Sequence, residues 1–253
     1  MARRIDLNAD LGESEAPEDI ARDIAIMDVV TSANIACGGH AGNDATMKAM
    51  LEAAAKRGVA AGGHPSYPDR KNFGRVSMEM RGDELRREIS DQIGALASIA
   101  EHLDIALSHI KPHGALYNDM ADDAKLTAKL FDASLNSIPD IPMVGLAGSE
   151  VKDVADELRL PFIPEAFIDR RYTPNGRLVP RSEVGAVIES NEERIAQALS
   201  IARDGKVTAS GGKIISINAH TLCLHSDSDG ALETARAVRR ALEDAGIEIA
   251  APT

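Results

Sequence analysis

Cysteine is scarce in this chain of 253 residues. The only two, Cys37 and Cys223, stand far apart in apolar, strand-like runs, so we expect buried thiols rather than a disulfide or a cysteine-based metal site. No apolar run approaches the ~20 residues that a membrane-spanning helix needs, and the first residues lack the apolar region of a signal peptide. These absences predict a cytoplasmic protein of bacterial type that has no membrane segment.

Positive charge is also in short supply. The chain has 28 lysine and arginine residues against 40 aspartate and glutamate residues, which gives a formal net charge of -12. This balance argues against partners such as nucleic acid and against anionic membrane surfaces. Any anionic substrate must therefore be held by a local cluster of basic side chains.

Three well-known catalytic motifs are missing. No Gly-x-x-x-x-Gly-Lys-Ser/Thr phosphate loop is present, because Gly211-Gly212-Lys213 lacks the first glycine and instead predicts a hairpin turn. The chain also has no Gly-x-Ser-x-Gly nucleophile elbow and no His-Glu-x-x-His zinc motif. If the chemistry uses a nucleotide, its site is not expected to be a phosphate loop on this chain.

What the sequence does have is a regular alternation of strand-like and helix-like segments. Seven strand-like runs, spaced as in βα units, are each followed by a helical segment, which predicts an α/β fold with a parallel sheet. The predicted strands are 4–9, 29–37, 59–62, a run beginning at Ile105, 142–146, 162–167 and 219–225. Helices are predicted over 44–57 and 192–203, and another is predicted from an apolar stripe at Leu85, Ile89, Ile93, Leu96, Ile99 and Leu103. Polar residues follow six of the seven, whereas an open sheet would gather them at one switch point. We therefore predict a single domain, 1–253, folded as a seven-stranded (β/α) barrel of the TIM-like type.

The stretch 105–118 gives the clearest indication of function. It begins as an apolar strand and ends in Lys111, Pro112, His113 and Gly114. Because side chains alternate along a strand, Lys111 and His113 should point the same way, at the strand end where parallel α/β folds build active sites. Lys111 could act as a cation for a carboxylate or oxyanion, or as a neutral base if burial lowers its pKa. The simpler alternative is a lysine that reaches solvent at the sheet edge.

Three other strand ends carry similar residues. Asn8 and Asp10 share one face at the end of the first strand, although Asp10 could simply cap the next helix. His40 and His64 each follow two glycines at the ends of the second and third strands, and histidine suits proton transfer or metal binding. Asp10, His40 and His64 could form a metal site, but no tight motif spacing supports it.

Arginines are concentrated in two long polar loops. Arg70 and Arg75 lie in the first loop, and Arg170 and Arg171 lie in the second. Any one of them is expected to be solvated, but together they could clamp an anion through bidentate hydrogen bonds.

Taken together, these strand ends resemble the LamB/YcsF family. The matching segments follow one another in the family's order and cover most of the chain: 5–14, 31–42, 64–75, 111–118, 144–150, 165–172, 178–182 and 221–225. Several positions depart from the family pattern. Three of them, Gly39, Asn43 and His220, bear on the activity, and the others are Ser226 and the segment 15–26.

The resemblance implies a barrel related to the glycoside hydrolase/deacetylase superfamily. It also implies opening of the lactam ring of 5-oxo-L-proline to L-glutamate, coupled to ATP hydrolysis, in a complex with PxpB and PxpC subunits. ATP would be bound by those partners, which fits the missing phosphate loop. A lactam is a poor electrophile, and phosphorylation of its oxygen would create a leaving group and an activated carbon.

The resemblance also implies roles for individual residues. Asp10 or one of the histidines would activate water, another would protonate the departing nitrogen, and Lys111 with an arginine would hold the substrate carboxylate or stabilise the oxyanion. The catalytic set is Asp10, His40, His64, Lys111 and His113. The substrate-binding set is Asn8, Glu13, Asn34, Arg70, Arg75, Tyr117, Glu165, Arg171 and His225. No metal ligand is assigned on this interpretation.

Two other functions stay open at this point. One is a metal-dependent deacetylase or amidohydrolase that acts alone through Asp10, His40 and His64. The other is a non-catalytic subunit that only holds the substrate for its partners. Assembly into a homo-oligomer is also open.

Overall fold

The structure, a computed structural model, describes residues 3–81, 83–224 and 230–252. The strands are β1 (Arg4–Leu11), β2 (Ser32–Ala36), β3 (Ala60–His64), β4 (Met143–Leu146), β5 (Phe162–Phe167), β6 (Lys206–Thr208), β7 (Ile214–Ser216), β8 (Thr221–Leu224) and β9 (Glu248–Ile249). The helices are α1 (Pro17–Ile26), α2 (Asp44–Arg57), α3 (Glu84–His102), α4 (Gly114–Met120), α5 (Ala124–Ser137), α6 (Glu150–Leu158), α7 (Asn191–Leu199) and α8 (Ala231–Asp244).

The main sheet is parallel and curls into a half-barrel. Its strand order is β3-β2-β1-β8-β5-β4, and the short β9 pairs with the start of β1. In the register of this sheet, Asp10 lies beside Asn34, and Asn8 lies beside Cys223. Polar residues from neighbouring strands are thereby placed at one level of the sheet.

The predicted strand beginning at Ile105 is reduced to a single bridging residue. Ile110 pairs in parallel with Gly63 of β3 on one side and Met143 of β4 on the other. The amide of Lys111 donates to the Gly63 carbonyl at 2.9 Å, and Pro112 has no N–H with which to continue the ladder. The segment nevertheless lies between the two edge strands and carries Lys111 to the end of the sheet.

Local sequence features explain several element boundaries. Helix α2 occupies the predicted range, with an Asn43–Thr46 capping box at its start and Gly58 at φ +66° at its end. The predicted hairpin is present as antiparallel β6 and β7. The helix predicted over 192–203 ends earlier, at Leu199, and continues as a π-helical turn, Ser200–Asp204. Strand β9 was not predicted.

The core is formed by the sheet and the inward faces of the helices. On α3, the predicted stripe of Leu85, Ile89, Ile93 and Leu96 is buried. Both cysteines are buried and free, as expected, and burial raises the pKa of Cys37 to about 12. Across residues 3–81, 83–224 and 230–252, no helix combines the length and apolar character that crossing a membrane requires.

Candidate active site

A cavity of about 510 Å³ opens at the carboxyl ends of the parallel strands. Its lining combines titratable groups from these strand ends with arginines from the loops. The first set contains Asp10, Glu13, His64, Lys111 and His113; the second set contains Arg75, Arg170, Arg177 and Arg181. Four of the five predicted catalytic residues therefore line one cavity.

Lys111 is a buried ammonium held by carboxylates from two strands. Its Nζ lies 2.9 Å from Asp10 Oδ1 and 2.9 Å from Glu165 Oε1, and it also contacts Asn8 Oδ1 and Cys223 Sγ, each at 3.2 Å. Burial alone would lower the pKa of Lys111, but Asp10, Cys223 and Glu165 together raise it well above its usual range. Lys111 thus acts as a fixed positive charge, and the neutral-base role considered from the sequence is disfavoured.

A fully paired amide network lies beneath Lys111. The Asn8 amide group donates to Glu165 Oε1 at 2.8 Å and to Thr221 Oγ1 at 2.6 Å. The Asn34 amide group donates to Asn8 Oδ1 at 2.7 Å and to Asp10 Oδ1 at 2.8 Å. Asn8, Asn34 and Glu165 are buried and do not line the cavity, so these three predicted substrate contacts act by positioning Asp10 and Lys111.

His109 completes this network and was missed by the sequence analysis. Because both N–H groups of Asn34 are donated elsewhere, its Oδ1 accepts the proton of His109 Nε2 at 2.7 Å. Burial, with the nearby Lys111 charge, lowers the pKa of His109 to about 3, so the ring is neutral. The two-residue alternation that links Lys111 to His113 would also have placed His109 on this face.

Three histidines meet beside Asp10 and Glu13. His64 Nε2 lies 3.0 Å from His113 Nδ1, and His113 Nδ1 lies 3.3 Å from Glu13 Oε1. The His40 ring stacks on His113, with centroids 3.7 Å apart and planes 3° from parallel, and its Nε2 lies 2.9 Å from Glu13 Oε1. Burial lowers the pKa of both His40 and His113 well below the usual range, and neighbouring imidazoles add to the effect. These two rings are therefore neutral near neutral pH.

The arginines add positive charge to the cavity lining. Arg170 is 5% exposed and donates from Nη2 to the Val179 carbonyl at 2.6 Å. Burial lowers its pKa to about 10, which keeps it charged at neutral pH. Arg177 donates to the Gly148 carbonyl at 3.0 Å and pairs with Asp122. Arg177 and Arg181 were not singled out from the sequence, because no local pattern shows that their loop folds over the cavity.

Aromatic side chains form the apolar part of the cavity. Tyr117 lines it and packs edge-on against Phe167, with ring centroids 5.6 Å apart. Burial and the Glu165 carboxylate raise the pKa of Tyr117 well above its usual range, so its hydroxyl stays protonated. Lys111 Nζ also lies 5.5 Å from the centroid of the Phe167 ring.

Two predicted anion-binding residues lie outside the cavity lining. Arg70 donates to the carbonyls of Gly38 and Gly42, at 3.1 and 2.8 Å, and so supports the turn before α2. Arg171 pairs with Glu193 at 2.6 Å on the other side of its loop. His40 also stands behind the cavity wall rather than on it. The predicted contact at His225 falls outside the described residues.

The three departures from the family pattern that bear on the activity have local explanations. A Cβ at Gly39 would lie 2.5 Å from the Gln92 amide atoms and 2.6 Å from Ser66 Oγ, so a larger residue there would require Gln92 and Ser66 to move. Asn43 caps α2, a role that aspartate also performs. His220 is exposed, and it does not line the cavity.

Comparisons with known proteins agree with the resemblance seen in the sequence. A curated relative from Streptomyces avermitilis, named as the A component of 5-oxoprolinase, is 44% identical over 98% of this chain and 99% of its own length. The crystal structure of a lactam utilization protein from Thermus thermophilus shares 38% identity, with a TM-score of 0.90 over 98% of this chain and 100% of that one.

A more distant likeness concerns the fold alone. A family 4 carbohydrate esterase from Streptomyces lividans aligns over 99% of this chain and 93% of its own, with 11% identity and a TM-score of 0.50. The LamB/YcsF family model matches residues 5–253. With that match and a relative 44% identical across almost its whole length, the chain belongs to the LamB/YcsF family.

Proposed function

We propose that this chain is the PxpA component of an ATP-dependent 5-oxoprolinase, a hydrolase that opens the lactam ring of 5-oxo-L-proline to give L-glutamate. Its partners in this proposal are the PxpB and PxpC subunits, which bind ATP. The observation that carries the proposal is the composition of the cavity: a lysine ammonium fixed beside Asp10, His64 and His113 shares it with four arginines. The names of the relatives support the same activity.

The two sets of lining residues match the two polar groups of the substrate. The arginines would bind the substrate carboxylate, since guanidinium pairs with carboxylate in two parallel hydrogen bonds. The lactam carbonyl would lie near Lys111, whose fixed charge favours the negative charge that develops on oxygen. Because Lys111 already donates to protein acceptors, it acts through its charge and by holding Asp10 in place.

Ring opening also needs a proton to be moved from water to the departing nitrogen. The cluster of Asp10, Glu13, His64 and His113 would take one proton from the attacking water and return it to that nitrogen. Phosphorylation of the lactam oxygen at the expense of ATP would precede this step and make the ring carbon electrophilic. Cleavage of the C–N bond would then leave a γ-glutamyl phosphate, which a second water would hydrolyse to glutamate and phosphate. The cavity of about 510 Å³ exceeds what a small lactam needs, and so has room for the phosphorylated form.

The finer points of architecture and location are part of this proposal. We propose that 1–253 form one domain. We also propose that the segment around Ile110, between β3 and β4, takes the position of the seventh strand in a deacetylase-type barrel. We also propose that the protein lies in the cytoplasm, because its substrate and ATP are both present there.

The test is release of glutamate from 5-oxoproline by this chain with PxpB and PxpC, with and without ATP. ATP-dependent release that Asp10→Asn abolishes would support the proposal. Two adjacent arginines provide a matched pair, because Arg170 lines the cavity and Arg171 does not. We expect Arg170→Lys to raise KM for 5-oxoproline about tenfold or more, and Arg171→Lys to leave it unchanged. No release by any combination of folded subunits would refute the assignment.

Two other functions predict different results in the same assay. A solitary metal-dependent amidohydrolase is favoured by the cluster of Glu13 with His40, His64 and His113, and it would act without ATP or partners. A non-catalytic binding subunit would lose activity only in proportion to substrate binding in the Asp10→Asn variant. A catalytic role predicts that kcat falls while binding is kept.

A further inference from the structure

We propose that Asp10, Glu13, His64 and His113 bind one divalent transition-metal ion, with zinc the first candidate, and that His40 stands outside the ligand set and orients Glu13. The site lies in the cavity described above. The inference goes beyond the proposed function and does not depend on it, because the site is defined by donor atoms and its test is metal content.

The spacing of the donor atoms is the first argument. One ligand atom from each of Glu13, His64 and His113 lies within 4.8 Å of the others. Ligands about 2.0–2.1 Å from a tetrahedral zinc ion lie roughly 3.3–3.4 Å from one another. His113 Nδ1 and Glu13 Oε1 are 3.3 Å apart, His64 Nε2 and Asp10 Oδ2 are 3.4 Å apart, and His64 Nε2 and His113 Nδ1 are 3.0 Å apart. The pair His64 Nε2 and Glu13 Oε1, at 4.0 Å, would have to close slightly.

The hydrogen bonds on the far sides of the rings are the second argument. A carbonyl oxygen only accepts, so His64 Nδ1 donates to the Lys111 carbonyl at 2.7 Å, and His113 Nε2 donates to the Phe73 carbonyl at 3.0 Å. The other two ring nitrogens, His64 Nε2 and His113 Nδ1, thereby face each other on the cavity side at 3.0 Å. Backbone carbonyls that fix the outer nitrogen are also the usual partners of metal-binding histidines.

The ring orientations decide which histidines are ligands. A metal ion lies close to the plane of each imidazole that binds it. The rings of His64 and His113 are 85° apart, so their planes cross and can share one ion. The rings of His40 and His113 are stacked 3° from parallel, and parallel planes have no common point. His40 thus cannot join His113 as a ligand in this arrangement.

His40 instead has the contacts of an outer partner, a residue that orients a metal ligand by a hydrogen bond without binding the metal itself. Its Nε2 faces the Glu13 carboxylate at 2.9 Å and carries the proton, since a carboxylate accepts. Its Nδ1 is buried without a hydrogen-bond partner. Asp10 is held in a comparable way, with Oδ1 accepting from Lys111 and Asn34 while Oδ2 faces His64. Two carboxylates and two neutral imidazoles balance the charge of a divalent cation and match the donors that zinc takes.

When bound, such an ion would polarise a carbonyl or lower the pKa of a water that enters as a fifth ligand. The four side chains would then hold the ion instead of carrying the reacting proton themselves, and that proton would come from the water. The other residues of the site would keep Asp10 and Glu13 oriented and close the apolar side of the cavity.

The experiment measures metal rather than turnover. The full chain is analysed as purified by inductively coupled plasma mass spectrometry, and then stripped with a chelator and titrated with Zn²⁺ alone and with Co²⁺ alone. Calorimetry gives the stoichiometry, and the visible absorption of Co²⁺ reports the geometry. Circular dichroism checks that each variant is folded. If His64→Ala does not fold, His64→Gln is used in its place.

We expect one metal ion per chain in the wild type and in the control His102→Ala, which removes an exposed histidine of α3. His64→Ala and Glu13→Gln should lose the ion. His40→Ala should keep one ion per chain, with affinity lowered about tenfold to hundredfold, as for the loss of an outer partner.

Three results would overturn the proposal. The first is a folded wild type that takes up neither Zn²⁺ nor Co²⁺ at one equivalent. The second is retention of the ion by both His64→Ala and Glu13→Gln, which would place it elsewhere. The third is complete loss of the ion in His40→Ala, which would make His40 a ligand. Metal uptake and glutamate release are separate measurements, so the two proposals can fail separately. Release by a chain that takes up neither metal would refute the metal site and leave the lactam assignment intact, whereas one bound ion per chain without release would do the reverse.

Discussion

Lys111 links the stability of the fold to the chemistry of the cavity, and replacing it by methionine tests both. The side chain is 2% exposed, and its ammonium bridges Asp10 and Glu165 at 2.9 Å each. Methionine keeps much of the length and packing of the lysine stem but removes the charge. The Lys111→Met variant would leave the buried Glu165 carboxylate facing Asp10 with no cation between them.

The magnitude follows from the cost of breaking a buried ion pair. Removing one partner of such a pair costs about 3–5 kcal/mol, because an uncompensated charge stays in the interior. For a chain of this size we expect the melting temperature to fall by roughly 10 °C. Because its neighbours raise the pKa of Lys111 above the ordinary 10.5, the ammonium's stabilising contribution is complete at neutral pH and is lost only as the pH rises past that value. The free energy of unfolding measured near pH 7.5 therefore includes the full contribution of the Lys111 ammonium.

The double variant Lys111→Met, Glu165→Gln gives the decisive comparison. Glutamine has the shape of glutamate without its charge, so the second change should restore about 1–2 kcal/mol of the stability lost in Lys111→Met. The assay is urea unfolding of wild type, both single variants and the double variant. A Lys111→Met protein as stable as the wild type would refute the reasoning. So would a double variant whose loss equals the sum of the single losses, because the two side chains would then not interact.

Three further predictions concern the surroundings of the cavity. Because burial holds the pKa of His109 at about 3, below its ordinary 6.5, the unfolded chain binds the proton first as the pH falls. The free energy of unfolding should therefore fall by about 2 kcal/mol less in His109→Gln than in the wild type when the pH is lowered from 8 to 5. Urea unfolding at the two pH values measures this, and an equal fall in both proteins would contradict a neutral buried ring. Gly39→Ala should destabilise by about 1–3 kcal/mol through contact with Gln92, whereas Gly94→Ala, in a helix with open space around it, should stabilise by up to about 1 kcal/mol in thermal denaturation. Asn43→Ala should cost about 1 kcal/mol and Asn43→Asp almost nothing, because only alanine removes the cap of α2; equal melting temperatures would rule out that role.

The order of strands and helices could be predicted because it depends on local patterns. Helix α2 has its start and stop residues in the sequence, and the stripe on α3 repeats every three or four residues. The fate of the run beginning at Ile105 could not be predicted in the same way. Whether an apolar run forms a full strand depends on how many backbone groups its neighbours offer, and here Ile110 alone bridges β3 and β4.

The site was predictable in part, through alternation along the strands. That rule placed Asn8 beside Asp10 and Lys111 beside His113, and taken one step further it would have included Asp6 and His109. Asp6 is buried and accepts hydrogen bonds from Thr31, Ser32 and Thr221, so it fixes the base of the same network.

The arginines show where prediction from sequence ends. Arg170 and Arg171 are adjacent and chemically identical, yet the first lines the cavity and the second pairs with Glu193. Both belong to a loop whose path is set by tertiary contacts, such as the hydrogen bond from Arg170 to Val179. No periodicity applies to such a loop, so the sequence shows that guanidinium groups are available but not which of them reaches the substrate.

The contacts of Lys111 also determine which variants can separate folding from catalysis. Its acceptors come from three strands: Asn8 and Asp10 from β1, Glu165 from β5 and Cys223 from β8. The segment that carries Lys111 is hydrogen-bonded through its backbone to β3 and β4, and this ammonium also links it to β1, β5 and β8. Loss of activity in a Lys111 variant would therefore mix loss of structure with loss of chemistry. Asp10→Asn keeps the shape and the hydrogen-bond acceptor that faces Lys111, and for that reason it is the cleaner probe of the reaction.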